Sequence, residues 1–200
     1  MTNTLVLVTG NANKVREFNA LFQKELGESY RVISIKELGY DADVEENGAT
    51  FEENALIKAK YAASLGYIGI ADDSGLCVDY LDGAPGIYSA RYSGQGNDAN
   101  NEKLLYELRN AKDGDRSAKF VCSIACAFPN GRSFTVTGEC KGMIGHTLVG
   151  DNGFGYDPLF YYPPFDKTFA QMSEDEKNLI SHRAVATSLF TQKIKNFLNQ

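Results

Sequence analysis

Residues 70–94 read IADDSGLCVDYLDGAPGIYSARYSG, and the start of this stretch decides the fold. An apolar run through Ile68, Ile70 and Ala71 has the character of a strand. It stops at two adjacent carboxylates, Asp72 and Asp73, which Ser74 and Gly75 follow at once. A strand end carrying acids, then a hydroxyl, then a glycine suits a hard cation and a water nucleophile. If the strand instead runs on through the acids, Asp72 and Asp73 point to opposite faces of a sheet. A capped strand end using Asp as a turn residue is the structural alternative.

Upstream, Thr50-Phe51-Glu52-Glu53 has the capping-box pattern and opens a helix to about Leu65, which Gly66 ends. Before it, Thr4–Thr9 reads as a strand, Gly10-Asn11-Ala12-Asn13 as a turn and Lys14–Leu26 as a helix. Arg31–Ile35 alternates as a second strand. Downstream, Asp98–Arg109 is helical. Ala118–Phe128 and Ser133–Met143 pair about the turn Pro129-Asn130-Gly131. Pro158–Tyr162 is a short strand, and a second capping box, Ser173–Glu176, opens one long C-terminal helix. Strands alternating with helices, plus one hairpin, predict an α/β fold with a mixed sheet, and the hairpin region suits a smaller second lobe.

The 200 residues carry a net charge of −6, with 43% hydrophobic residues and no Trp. That length buries an adequate core without disulfides or a structural metal. The acidic balance argues against binding a nucleic acid polymer or an anionic membrane, but leaves room for a small anion held by a few lysines. The N-terminus lacks the pattern of a signal peptide, and no apolar run is long enough to span a membrane. Cys77, Cys122, Cys126 and Cys140 show no CxxC spacing. Cys122 and Cys126 lie ~13 Å apart along a strand, too far to bridge. All four read as free thiols in a reducing cytosol.

Four further groups stand out. Thr9-Gly10-Asn11-Ala12-Asn13-Lys14 joins a strand to a helix, so backbone N–H groups at a helix start combine with a lysine to offer an anion site. It lacks the Walker spacing, and an ordinary turn accounts for it equally well. Asp41, Asp43, Glu45 and Glu46 form an acidic loop before Gly48, either a ligand set or a solvated loop. Asn54 and Lys58 share one helical face beyond it. Gly153-Phe154-Gly155-Tyr156-Asp157-Pro158 frees the backbone around an aromatic and fixes a carboxylate before proline, an arrangement able to stack a base and bond its edge. Finally, Lys177 precedes Ser181-His182-Arg183 on a helix whose apolar stripe runs through Leu179, Ile180, Ala184, Thr187, Phe190, Ile194, Phe197 and Leu198. Arg183 falls in or beside that stripe and so needs an inward partner.

With these groups in view, the chain resembles the inosine triphosphate pyrophosphatase family, which hydrolyses non-canonical purine nucleoside triphosphates. The resemblance rests on TGNANKVREF (9–18), TFEENALIKAK (50–60), IADDSGLCVDYLDGAPGIYSARYSG (70–94), FGYDPLF (154–160) and the EK…ISHR run (176–183), in that order. It implies an α/β fold with an elongated mixed sheet and flanking helices, two lobes around a central nucleotide cleft, and a homodimer; the cytoplasmic expectation rests on the lack of a targeting signal alone. It implies that a purine nucleoside triphosphate plus water gives the monophosphate and pyrophosphate, with Mg²⁺ as cofactor. By the same resemblance, Thr9, Gly10, Asn11, Ala12, Asn13, Lys14, Lys58, Ser74 and Lys177 bind substrate. Phe154, Gly155, Tyr156, Asp157, His182 and Arg183 do so around the base. Glu45 and Asp73 hold the metal, and Asp73 is also the proton acceptor; Glu46 and Asp72 rank behind them. A pyrophosphatase for modified pyrimidine or canonical dNTPs, and a nucleotide sensor without turnover, are the alternatives.

Overall fold

The computed structural model describes residues 3–26 and 30–198. The strands are β1 (Asn3–Leu7), β2 (Tyr30–Ser34), β3 (Ile68–Val78), β4 (Ser117–Ala127), β5 (Ser133–Ile144), β6 (Phe160–Tyr162) and β7 (Lys167–Thr168). The α-helices are α1 (Ala12–Leu26), α2 (Phe51–Ser64), α3 (Asn97–Glu107), α4 (Glu174–Ile180) and α5 (His182–Leu198). The strands form one mixed sheet in the order β2-β1-β3-β4-β5-β6-β7. β1 runs parallel to β2 and β3, while β5, β6 and β7 pair antiparallel. The predicted α/β mixed sheet is therefore the one observed.

The chain divides into two compact units. The first runs to Asp73 and takes in Cys122–Gly138 and the segment from Arg183 on; the second holds Ser74–Val121 and Glu139–His182. In the first unit, two cores lie on the two faces of the sheet. One collects Leu5, Leu7 and Ile70 from the strands with Phe18 and Phe22 of α1 and Phe190 and Ile194 of α5. The other collects Val6, Val8 and Ala71 with Ala55, Ala59 and Ala62 of α2. Alternation along β1 and β3 sorts these side chains, because successive residues of a strand face opposite ways. The second unit has its own core, built on Leu76, Val78, Phe120, Phe160 and Phe169 under α3.

The alanine face of α2 lets that helix lie close on the sheet. A Cβ at Gly69 would stand 2.2 Å from the Ala59 carbonyl oxygen. Gly69→Ala must push α2 off β3, and overpacking of this kind costs about 3 kcal/mol. Thermal unfolding of that variant is expected to fall by on the order of 10 °C, and an unchanged Tm would contradict the close approach.

The structure corrects two readings. β3 does not stop at Asp72: it runs unbroken from Ile68 to Val78, with both acids inside it. The C-terminal helix is not one helix but two, separated at Ser181, whose backbone is extended (φ −66°, ψ 154°). Serine competes with helical geometry through local hydrogen bonding and favours caps over interiors. The break turns the Leu179 side chain outward, 68% exposed, although the periodicity placed it in the stripe. Arg183 does lie on the buried face, with Thr187, Phe190 and Ile194. All four cysteines are free thiols, as read from the sequence.

Candidate active site

Alternation along β3 separates the two acids. Asp72 follows the direction of Ile70, toward α1 and α5; Asp73 follows Ala71, toward α2. Each meets different partners. The Asp72 carboxylate lies 2.8 Å from Lys14 Nζ on α1 and 3.7 Å from Arg183 Nη2 on α5. Arg183 also pairs with Glu17, one turn beyond Lys14, and its guanidinium sits over the Phe18 ring. Burial alone would raise the proton affinity of Asp72, but Lys14, Arg183 and Lys58 together hold it below the ordinary carboxylate range. Burial would likewise lower that of Arg183; Glu17 and Asp72 outweigh it and raise the value. The inward arginine thus has the anionic partners its position demanded.

On the other face, Asp73 Oδ2 accepts from Asn54 Nδ2 at 3.0 Å. Asn54 is fully buried, and its Oδ1 accepts from the Gly48 N–H at 2.8 Å. One amide therefore ties the acidic loop to the β3 carboxylate. The loop enters α2 through Thr50, whose Oγ1 accepts from the Glu53 N–H, while Glu53 accepts from the Ala49 N–H. Lys58, one turn after Asn54, pairs with Glu46 Oε1 at 2.5 Å. Burial pushes the Asp73 carboxyl up; Lys58 opposes this, Glu46 adds to it, and the outcome lies above the ordinary carboxylate range. A buried carboxyl raised in this way is suited to proton transfer near neutral pH. From sequence, Asn54 stands out only as a neighbour of Lys58 on one helical face. Its spacing four residues before that lysine was the available signal.

The Thr9–Lys14 turn is held by its own side chains. Thr9 Oγ1 accepts from the Asn11 N–H, and Asn11 Oδ1 caps α1 by accepting from the Lys14 N–H. The first-turn N–H groups of α1 have no helical carbonyl to meet, which is the general chemistry of an anion site at a helix start. Gly10 and Ala12 are exposed. The Asn13 side chain lies outside the described residues.

Carboxylates at Asp73 and Glu46 are hard oxygen donors on one face of the sheet, and their mutual repulsion is felt in Asp73's raised proton affinity. Among the described residues, no three His, Cys, Asp or Glu side chains form a protein cage for a metal. That donor set fits Mg²⁺, which commonly takes one or two carboxylates and completes its shell with phosphate and water. Glu45 is exposed on the same loop, while Glu46 is half-buried against Lys58. The structure thus gives Glu46 a closer electrostatic link to Asp73 than the sequence ranking did.

In the second unit, a second cluster forms around Asp157. Its Oδ2 accepts from the Phe154 N–H at 2.8 Å and pairs with Lys177 Nζ at 2.7 Å. Gly153 (φ +78°) makes this possible: a Cβ there would stand 2.1 Å from Asp157 Oδ2. Lys177, nearly buried, lies over the Phe154 ring at 5.3 Å. Tyr156 is buried, its hydroxyl donating to the Ser89 carbonyl, and burial raises its proton affinity. Asn101 of α3 donates to the Gly155 carbonyl. The His182 ring stacks on Phe120 at 4.8 Å between centroids. Of the residues predicted around the base, Phe154, Gly155, Tyr156, Asp157 and His182 belong to this unit, while Arg183 joins Asp72 in the first; Lys177, predicted to add charge for the phosphates, is also in the second unit, paired with Asp157. Ser74, half-buried, follows Asp73 directly on β3.

A mixed α/β sheet bearing a strand–turn–helix segment, lysine–carboxylate pairs and a buried carboxyl of raised proton affinity has the groups that phosphoryl chemistry uses. The Ham1 family model matches residues 5–193. A dITP/XTP pyrophosphatase of Clostridium perfringens is 48% identical over 96% of this chain and 98% of its own length. One of Bacillus licheniformis is 49% identical over 91% and 93%. Among solved structures, the Ham1 protein of Staphylococcus aureus superposes with a TM-score of 0.86 at 45% identity, covering 97% of this chain and 99% of that one. That of Coxiella burnetii gives 0.88 at 38%, covering 98% and 100%. The chain belongs to the Ham1 family.

Proposed function

We propose that this protein hydrolyses non-canonical purine nucleoside triphosphates, ITP and XTP with their deoxy forms, to the monophosphate and pyrophosphate. The relatives named as dITP/XTP pyrophosphatases support the substrate class. The observation that carries the chemistry is Asp73: buried, anchored by Asn54, and biased toward holding a proton.

Asp73 takes a proton from the water that attacks the α-phosphorus. Asn54 fixes the carboxylate's direction, and the loop bearing Glu46 is tied to the same amide. Asp73 with Glu46 or Glu45 would hold Mg²⁺, which when bound supplies charge neutralisation on the phosphate oxygens. The Thr9–Lys14 turn binds phosphate through backbone N–H groups and Lys14, whose ammonium Asp72 positions. Lys58 adds positive charge; burial would lower its proton affinity, but Asp72, Asp73 and Glu46 raise it. In the second unit, Phe154 offers the stacking face, and His182 or loop N–H groups donate to the 6-oxo group of hypoxanthine or xanthine. Adenine, with a 6-amino donor, leaves such a donor unpaired, a mismatch worth orders of magnitude in rate.

The reading extends to a homodimer in the cytoplasm, which light scattering and fractionation check. No helix among the described residues is long and apolar enough to cross a membrane. The deciding experiment is a turnover panel of ITP, XTP, GTP, dUTP and dCTP with Mg²⁺. ITP and XTP are expected to exceed the others by at least about 10²-fold. Preference for a pyrimidine, or equal rates across bases, would overturn the purine-specific reading.

A further inference from the structure

We propose that Lys36 is a further substrate-binding residue, holding the distal, leaving-group end of the phosphate chain. This rests on the reading of the Thr9–Lys14 turn as the phosphate cradle.

β1 and β2 are parallel, with Leu7 opposite Ser34. The chain therefore leaves both strands at the same end, and Thr9-Gly10 emerges beside Ile35-Lys36. The backbone under Lys36 is fixed. Ile35 is fully buried, and Ser34 and Glu37 close a capping box around the 3₁₀ turn Ile35–Leu38. Lys36 Nζ lies 3.8 Å from the point where a Cβ on Gly10 would stand. The glycine is not required there by a left-handed φ. Its lack of a side chain leaves the turn open toward the ammonium.

The charge state of the neighbours matters next. Lys14 is paired with Asp72 and Lys58 with Glu46. Lys36 has no carboxylate partner among the described residues and is exposed. It is thus a cation beside the turn whose charge no carboxylate among the described residues pairs with, available to phosphate as a point charge.

The strand order assigns the end of the substrate. In β2-β1-β3, Asp73 lies on one side of the β1 turn and Lys36 on the other. Attack at the α-phosphorus beside Asp73 leaves the β- and γ-phosphates to extend over the turn toward β2. Lys36 then meets the part of the substrate that departs as pyrophosphate and that a diphosphate substrate lacks in part.

The test compares wild type, Lys36→Gln and Lys36→Arg. Steady-state kinetics use dITP and dIDP with Mg²⁺, and calorimetry measures pyrophosphate binding directly. For Lys36→Gln, the KM for dITP and the Kd for pyrophosphate are expected to rise about tenfold. The KM for dIDP should move less than about threefold and kcat for dITP less than about threefold, with Lys36→Arg restoring most of the loss. Unchanged pyrophosphate affinity in Lys36→Gln, or equal weakening of dITP and dIDP, overturns the proposal. If the wild type fails to hydrolyse dITP, the functional reading fails instead, and the pyrophosphate titration still decides Lys36.

Discussion

Asp73→Asn is expected to reduce pyrophosphate release from ITP by about 10³-fold, the usual contribution of a positioned general base. It is also expected to unfold at a temperature no lower than wild type. The amide keeps an oxygen to accept from Asn54 and removes a buried charge that burial and Glu46 disfavour. The sign follows from the raised proton affinity. The contribution of Asp73 to stability is fully present below the ordinary carboxylate value and is lost as pH rises through its higher folded value. The advantage of the amide therefore appears at neutral pH and disappears in acid. Activity of the wild type should fall on the acid side at a pH above the ordinary carboxylate range. Turnover unaffected in Asp73→Asn would remove this residue from the chemistry, and a large loss of Tm would refute its electrostatic strain.

One residue earlier, the same substitution should do the opposite to stability. Asp72→Asn leaves Arg183 and Lys14 without their shared carboxylate, though Glu17 still pairs with the arginine. Breaking a buried ion pair from one side costs about 3–5 kcal/mol, or on the order of 10 °C in Tm for a chain of this size. Asp72 has a lowered proton affinity, so its stabilisation is present above the ordinary carboxylate value and lost as pH falls through its folded value. Denaturant titrations at about pH 7 and pH 5 should show the same deficit, with the gap closing only below about pH 4. Because Lys14 loses its positioning partner, KM for the triphosphate should rise as well. A variant as stable as wild type would mean that Arg183 and Lys14 find equal partners elsewhere.

Much of this was legible in the sequence, for identifiable reasons. The alternation of strand and helix patterns, the N-cap at Thr50, the capping box at Ser173 and the turn after Thr9 are local signals, and the elements follow them. The inward position of Arg183 followed from helical spacing. Three things were not legible. Gly75 after two acids looks like a strand end, yet β3 passes through: β1 pairs with it as far as Ile70, and β4 is its hydrogen-bonded neighbour on the other side, a long-range pairing that no local pattern records. Ser181 breaks the C-terminal helix although the apolar spacing continues across it. The pairing of Asn54 with Asp73, and of Glu46 rather than Glu45 with Lys58, joins residues far apart in sequence, and only packing of α2 on β3 selects among several acids of the same loop.

The unbroken run of β3 has one more consequence, concerning insertions and deletions rather than substitutions. The mechanism proposed above depends on which acid faces which layer, and a strand flips every side chain when its register moves by one. A single residue inserted between Ile68 and Asp72 would bring Asp72 before Asn54 and move Asp73 to the opposite face, about 7 Å beyond the place where Asp72 meets Lys14 and Arg183. Every original residue would be present, yet one acid would stand in the other's place and Lys14 and Arg183 would lose the carboxylate between them. Length between the start of β3 and Asp73 is therefore itself a functional constraint, one that no scan of point substitutions would reveal.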